Sequence, residues 1–434
     1  MSSIEEIYDS PIWQPFTQMK TAPMPLKVVK GKGVMLELED GRQIVDCISS
    51  WWVTIHGHGH PVLAEALYKQ AQALEHVIFT GFTHEPAEQL ARKLLKHLPK
   101  LLTRVFFSDN GSTAMEVALK MACQYWFNQG ETERTTFISF EGGYHGDTVG
   151  AMSIAGSSPW EQPFRRLMFS TELVPFPATF DDDGDVEIRE AHTLDILTRL
   201  LQQNPTRYAG IFIEPLVQGA GGMRVCRPQF LQALGNLAQS FGVLVIYDEV
   251  MTGFGRTGEL FACLKAETAP DIICLSKGLS GGCLPLAVTV ATEGIYRAFY
   301  SDDVSKTFFH GHSYTGNPLA CATGVASLEL LEQNPSFRNL EQQHRHCLEK
   351  YLQDHPKIDK VRTCGTIAAM DIVTDGQSGY FNAIAPILKQ RFLAEGFLLR
   401  PLGNTLYLMP PYCITSEQLE SIYQAIRRVL DTII

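Results

Sequence analysis

Short apolar runs of four to seven residues alternate along the chain with longer amphipathic stretches of helical period. The runs fall at 105–108, 136–140, 210–213, 242–248, 271–275 and 285–291, and their Val, Ile and Phe content predicts buried strands. Helices are predicted between them, notably over 113–127 and 229–240. In the first, Ala114, Ala118, Met121, Ala122 and Tyr125 share one face. Strands alternating with helices predict an α/β fold with a mainly parallel sheet covered on both faces. Beyond about residue 330 the pattern turns helical and charged over 337–353. Short strands around 361–372 and 398–408 then predict a smaller second domain. No internal repeat or low-complexity stretch is present.

The 434 residues, 45% of them hydrophobic, suffice for a large core. A net charge of −11 and a pI near 5.6 argue against a nucleic-acid partner. No apolar run reaches the roughly 20 residues of a membrane helix, and the acidic start Met1-Ser2-Ser3-Ile4-Glu5-Glu6 lacks an apolar signal region. Ten cysteines without C-x-x-C pairs fit reduced thiols in a cytoplasm. His56, His58 and His60 would share one face if this were a strand, but no carboxylate or cysteine nearby completes a metal site, so a turn is the expectation. Asp181-Asp182-Asp183-Gly184-Asp185 reads as a solvated loop, since a calcium loop needs a longer regular pattern with a late glutamate.

The chemistry converges on Lys277. An apolar run, Asp271-Ile272-Ile273-Cys274-Leu275-Ser276, delivers this lysine into a turn with Gly278, Gly281 and Gly282. Desolvation lowers an amine's pKa, which a lysine that condenses with a carbonyl requires. Upstream, 242–248 is a second core strand ending in Asp248 and Glu249. A pyridoxal phosphate site needs an acid opposite the pyridine nitrogen; Asp248 is placed for it, with Val250 placed to pack on the ring. A third strand leads through Asp109-Asn110-Gly111-Ser112 into a helix. Thr113 and Glu116 match a capping box, predicting a start at 113 or one residue earlier. Either start leaves the Gly111 and Ser112 amides at the positive end, where a phosphate is favoured. Gly253-Phe254-Gly255-Arg256-Thr257-Gly258 mimics a dinucleotide fingerprint but leads into no long helix, so it reads as a tight loop near the cofactor, with a nicotinamide site as the second reading.

These segments, in this order, resemble the class III pyridoxal phosphate aminotransferases, from Trp13-Gln14-Pro15-Phe16-Thr17 to Met409-Pro410-Pro411-Tyr412. Ser49-Ser50-Trp51-Trp52, Gly143-Tyr144-His145-Gly146-Asp147-Thr148, Val217-Gln218-Gly219-Ala220-Gly221-Gly222-Met223, His310-Gly311-His312-Ser313 and Leu399-Arg400-Pro401 carry a closer likeness. It is to the branch that aminates 8-amino-7-oxononanoate in biotin biosynthesis. The resemblance implies fold type I, with 1–60 packing on a small domain, a large cofactor-binding domain over 61–330 and the small α+β domain over 331–434. It also implies a homodimer with shared active sites and ping-pong transfer from S-adenosylmethionine. Lys277 would hold pyridoxal 5'-phosphate and move the proton, Asp248 keep the ring nitrogen protonated, and Tyr144 stack opposite Val250. Gly111 and Ser112, with His312 and Ser313 reaching the neighbouring subunit, would hold the phosphate. Phe16, Trp51, Tyr144, Gly311 and Arg400 would meet substrate, the arginine pairing a carboxylate in bidentate fashion. His145 and His310 would be hydrogen-bonding supports.

Three departures shape that reading. Ornithine and 4-aminobutyrate aminotransferases carry a glutamate that masks an arginine where this chain has Gly219, so the switch those enzymes use cannot operate here in the same way. Phe16 and His312 stand where S-adenosylmethionine users commonly carry Tyr and Pro, and relatives with the present residues include lysine users. Trp51 offers a stacking surface for a sulfonium-bearing nucleoside. Lysine as donor, another ω-amino acid aminotransferase, an aminomutase or racemase on the same scaffold, and a non-catalytic cofactor-binding homologue stand as alternatives.

Overall fold

The computed structural model describes residues 10–156, 159–376 and 378–433; the acidic start at 1–6 lies outside them. Its centre is a seven-stranded sheet. In spatial order the strands are Leu102–Ser108, Ala287–Thr292, Ile272–Leu275, Leu244–Asp248, Tyr208–Ile213, Thr136–Phe140 and Glu172–Val174. All pairings are parallel except the two made by Ala287–Thr292. This is the mainly parallel α/β sheet expected from the pattern. Glu172–Val174 was not expected, because three residues are too few to show a period.

Strands buried on both faces read as continuous apolar runs, and Tyr208–Ile213, Leu244–Asp248 and Ile272–Leu275 are buried at every position. Helix Gly111–Asn128 packs Ala114, Ala118 and Ala122 onto the sheet, with Met121 and Tyr125 at the margin of the same cluster. Helix Pro228–Ser240 covers the sheet with Phe230, Leu231, Leu234 and Ala238.

The chain's two ends share structure. Val28–Lys32, Met35–Leu38 and Gln43–Asp46 form a meander whose last strand pairs parallel with Phe397–Leu398. A further antiparallel sheet joins Ile358–Cys364, Ile367–Ile372 and Thr405–Leu408, covered by helices Leu340–Leu352 and Ser416–Thr432. Among the described residues no helix is long and apolar enough to cross a membrane. The ten cysteines are all free.

Two local expectations need correction. The helix after Leu102–Ser108 begins at Gly111, not 112 or 113, and its cap is Asn110. The Asn110 side chain accepts from the Thr113 amide, and the Thr113 hydroxyl accepts from the Asn110 amide. Glu116 is not the box partner; its Oε1 accepts from the amides of Gly150 and Ala151, 34 and 35 residues away. His56, His58 and His60 are on no strand, in keeping with the turn expected for them. His56 meets Ser327, His58 meets Asp46, and His60 precedes helix Pro61–Ala73. Asp183 in the acidic loop is held by Thr179 and Arg189.

Candidate active site

Parallel strands place their C-terminal ends along one edge, where α/β sheets bind ligands. Asp248 sits beside Cys274 in register, so Asp248 and Lys277 emerge next to each other. Ser108, Phe140 and Ile213 end at the same edge and deliver Gly111-Ser112, Tyr144-His145 and Glu214. The result is a cavity of about 660 Å³ lined by these residues together with Trp52, Thr148, Val250 and Met251.

Each group is held from behind. Asp248 is 4% exposed; its Oδ2 lies 2.7 Å from His145 Nδ1, and its Oδ1 accepts from the Val250 amide at 3.0 Å. Burial opposes protonation of His145, but Asp248 and then Glu214 outweigh it and raise the ring above its ordinary value. Glu214 accepts from the amides of Tyr144 and Gly219, and burial raises it to about 7. Burial also pulls the Lys277 amine below the usual lysine range, against the attraction of Asp248 and Glu214. Lys277 has a φ of 45°, and its Nζ lies 4.8 Å from the centre of the Trp52 ring. Strained backbone of this kind is a feature of functional sites.

At the other end, Gly111 and Ser112 occupy the first turn of an 18-residue helix, whose free amides and dipole favour a phosphate. A Cβ on Gly111 would lie 2.6 Å from Val250 Cγ1, so only glycine lets the helix start approach this close. Ser112 Oγ accepts from the Thr148 amide at 3.0 Å and lies 2.8 Å from Thr148 Oγ1. An anion cradle, an acid across the cavity from it, an aromatic ring, an aliphatic side chain and an amine whose pKa burial lowers together fit pyridoxal phosphate. The dinucleotide reading fails, because Gly253–Gly258 turns back and leads only to the four-residue helix Ala262–Lys265.

The comparisons with known proteins agree with this geometry. Residues 16–430 match the aminotransferase class-III family model. The chain belongs to the class III aminotransferases. An adenosylmethionine-8-amino-7-oxononanoate aminotransferase from Synechococcus elongatus is 55% identical over 97% of this chain and 99% of its own length. The crystal structure of the protein of that name from Methanocaldococcus jannaschii superposes with a TM-score of 0.90 at 33% identity, covering 97% of each chain. An amine transaminase from an uncultivated Pseudomonas species, solved in its PLP-bound form, superposes at 0.92 with 29% identity, covering 98% of this chain and 99% of its own.

Of the residues expected for a class III enzyme, Lys277, Asp248, Tyr144, Gly111, Ser112 and Val250 meet at the cavity. Trp51, Arg400 and Phe16 form a cluster beside it: the Arg400 guanidinium lies 4.3 Å over the Trp51 ring, and Phe16 meets that ring edge-on at 5.5 Å. Gly311, His312 and Ser313 do not line this chain's cavity; Gly311 and Ser313 are exposed. His145 is a hydrogen-bonding support, as expected, and His310 meets Lys120 at 3.0 Å. Sequence reasoning gave no role to Trp52 or Glu214. Trp52 donates its Nε1–H to the Tyr407 hydroxyl at 2.9 Å. A Cβ at Gly219 would lie 3.0 Å from Met251 and 3.2 Å from Trp52, so the glycine leaves room for this ring.

Glu249 points elsewhere, accepting from the amides of Ala262 and Cys263 at 2.7 Å, and burial raises it to about 7. The folded chain therefore holds a proton on Glu249 that the unfolded chain releases near the ordinary glutamate value of about 4.3. The stability this gives is full below about 4.3 and is lost as pH rises toward 7. Denaturant unfolding at pH 5 and 7.5 should show a smaller loss in Glu249→Gln than in the unchanged protein. The variant should be less stable at both values, because its amide replaces one of the two acceptors.

Proposed function

We propose that this chain transfers an amino group to 8-amino-7-oxononanoate, giving 7,8-diaminononanoate for biotin biosynthesis, with S-adenosylmethionine as donor and pyridoxal 5'-phosphate as cofactor. The observation that carries this is the meeting of Lys277, Asp248 and the Gly111-Ser112 helix start at one sheet edge, in a chain 55% identical to a relative of that name. When bound, pyridoxal phosphate supplies a carbonyl to carry the amino group and a ring to delocalise the electron pair left by a departing proton.

The residues do the rest. Lys277 Nζ, whose pKa burial lowers, takes the proton from one carbon and returns it to the other. Asp248, fixed by His145 and the Val250 amide, presents negative charge to a protonated ring nitrogen. Tyr144 and Val250 close the two faces, and the Gly111 and Ser112 amides with Ser112 Oγ hold the phosphate. Arg400, stacked on Trp51 with Phe16 alongside, receives the acceptor's carboxylate beyond Trp52. His312, half-buried here, and Ser313, exposed, serve the site of a second copy in a twofold dimer. The proposal includes the division at 60/61 and 330/331 and residence in the cytoplasm.

Phe16, which lacks a hydroxyl, and His312 favour lysine as a second donor reading. Loaded protein incubated with 8-amino-7-oxononanoate and either donor, followed by mass spectrometry, separates the two. Diamine from S-adenosylmethionine and none from lysine is expected. Diamine from lysine alone reassigns the donor, and none from either rejects the acceptor.

Arg400→Lys should raise the KM for this acceptor about tenfold or more, since one ammonium cannot replace a guanidinium fork. Cofactor uptake should be retained, because Arg400 is absent from the cavity lining. Unchanged kinetic constants for every carboxylate-bearing substrate would make Arg400 structural.

A further inference from the structure

Ser49, Ser50, Trp51 and Trp52 have φ of 50°, 44°, 73° and 74°. Four successive non-glycine residues thus form a left-handed turn, a conformation that each disfavours through its own Cβ. Such a turn persists only where its surroundings over-determine it. Asp46, the last residue of strand Gln43–Asp46 and fully buried, supplies that constraint. Its Oδ1 accepts from the amides of Ile48 at 3.2 Å and Ser50 at 3.0 Å. Its Oδ2 accepts from the Ser50 hydroxyl at 2.7 Å and lies 2.8 Å from His58 Nε2. Burial opposes ionisation of Asp46, but the His58 ring and the Ser50 and Ile48 donors outweigh it and hold the carboxyl below its usual range.

The turn sends two adjacent indoles to different partners. Trp52, 4% exposed, faces Lys277 and has anchors of its own: its Nε1–H donates to Tyr407, and its carbonyl accepts from Arg256 at 3.2 Å. Trp51, 40% exposed, lies between Arg400 and Phe16 by ring contacts, without a hydrogen bond among the described residues like that of Trp52 Nε1. Loss of the constraint should therefore reach Trp51 before Trp52.

We infer that Asp46, braced by His58, is a positioning residue for the acceptor end of the site, holding the left-handed turn that sets Trp51 beneath Arg400. The inference rests on the proposed acceptor only where it is read through acceptor kinetics.

Asp46→Asn keeps the shape but replaces one acceptor oxygen with a donor. Its KM for 8-amino-7-oxononanoate should rise about tenfold, the size expected for losing charge-assisted hydrogen bonds. Its kcat should change less, and its near-UV indole dichroism should weaken. Ser50→Gly added to Asp46→Asn should restore both readings toward wild type, because glycine adopts the left-handed conformation without strain. A purely packing role for Asp46 would not be rescued in this way. Should Asp46→Asn fail to fold, Ser50→Ala, which removes one of the four contacts, is read the same way with smaller shifts expected. If wild type does not turn over this acceptor, the functional reading fails, and the dichroism with its glycine rescue still decides the inference. An unchanged indole spectrum in Asp46→Asn, or in Ser50→Ala where that variant stands in for it, or a double variant no closer to wild type than Asp46→Asn, overturns it.

Discussion

Lys277→Ala is expected to lower kcat by roughly ten-thousand-fold or more, the scale seen when the group that carries the chemistry is removed. The cradle explains why binding should survive. Gly111, Ser112 and Thr148 belong to other elements, and Ser112 and Thr148 hydrogen-bond each other, not Lys277. Asp248 is held by His145 and the Val250 amide, again without Lys277. The variant should therefore still take up pyridoxal phosphate, measurable by equilibrium dialysis, while single-turnover transfer disappears. Among the described residues no other lysine lines the cavity to take over its proton. Residual turnover within tenfold of wild type would remove Lys277 from the mechanism.

Asp248→Asn should lower kcat by about a hundredfold to a thousandfold, as removal of a buried electrostatic partner of a charged reacting group does. The substitution is nearly isosteric, so folding and uptake of pyridoxal phosphate should be preserved. It removes the negative charge proposed to face the ring nitrogen, and with it the main influence raising His145. An amide nitrogen turned toward His145 Nδ1 also forces a change of tautomer or of rotamer in a site where both groups are buried. Rapid-mixing measurement of a single half-reaction isolates the effect on chemistry from release of product. A near-normal rate there would assign the acid's role to another residue, with Glu214 a second buried carboxyl lining the cavity.

The strand–Asp248 and strand–Lys277 pair was legible in the sequence because buried parallel strands are apolar throughout and stop abruptly. A charged residue just past such a run is conspicuous, and the topology then brings all such ends to one edge. The helix start was misread for the opposite reason. Thr113 and Glu116 satisfy the local capping pattern, but Glu116 is taken by amides brought near only by the tertiary fold. Asn110 and Thr113 close the box without the usual Glu or Gln. Trp52 was out of reach because its contact with Lys277 depends on four left-handed residues, which no local preference of Ser-Ser-Trp-Trp predicts. Gly311, His312 and Ser313 were named through family resemblance alone; in a single chain Gly311 and Ser313 are exposed and His312 is half-buried.

The most direct test of the account is chemical trapping at Lys277. The protein is loaded with pyridoxal 5'-phosphate, treated with borohydride and digested for peptide mass mapping. A reduced cofactor adduct on the peptide containing Lys277, absent from Lys277→Ala, is the predicted result. An adduct on a different lysine, with Lys277 unmodified, would contradict the assignment on which the rest of the site is built.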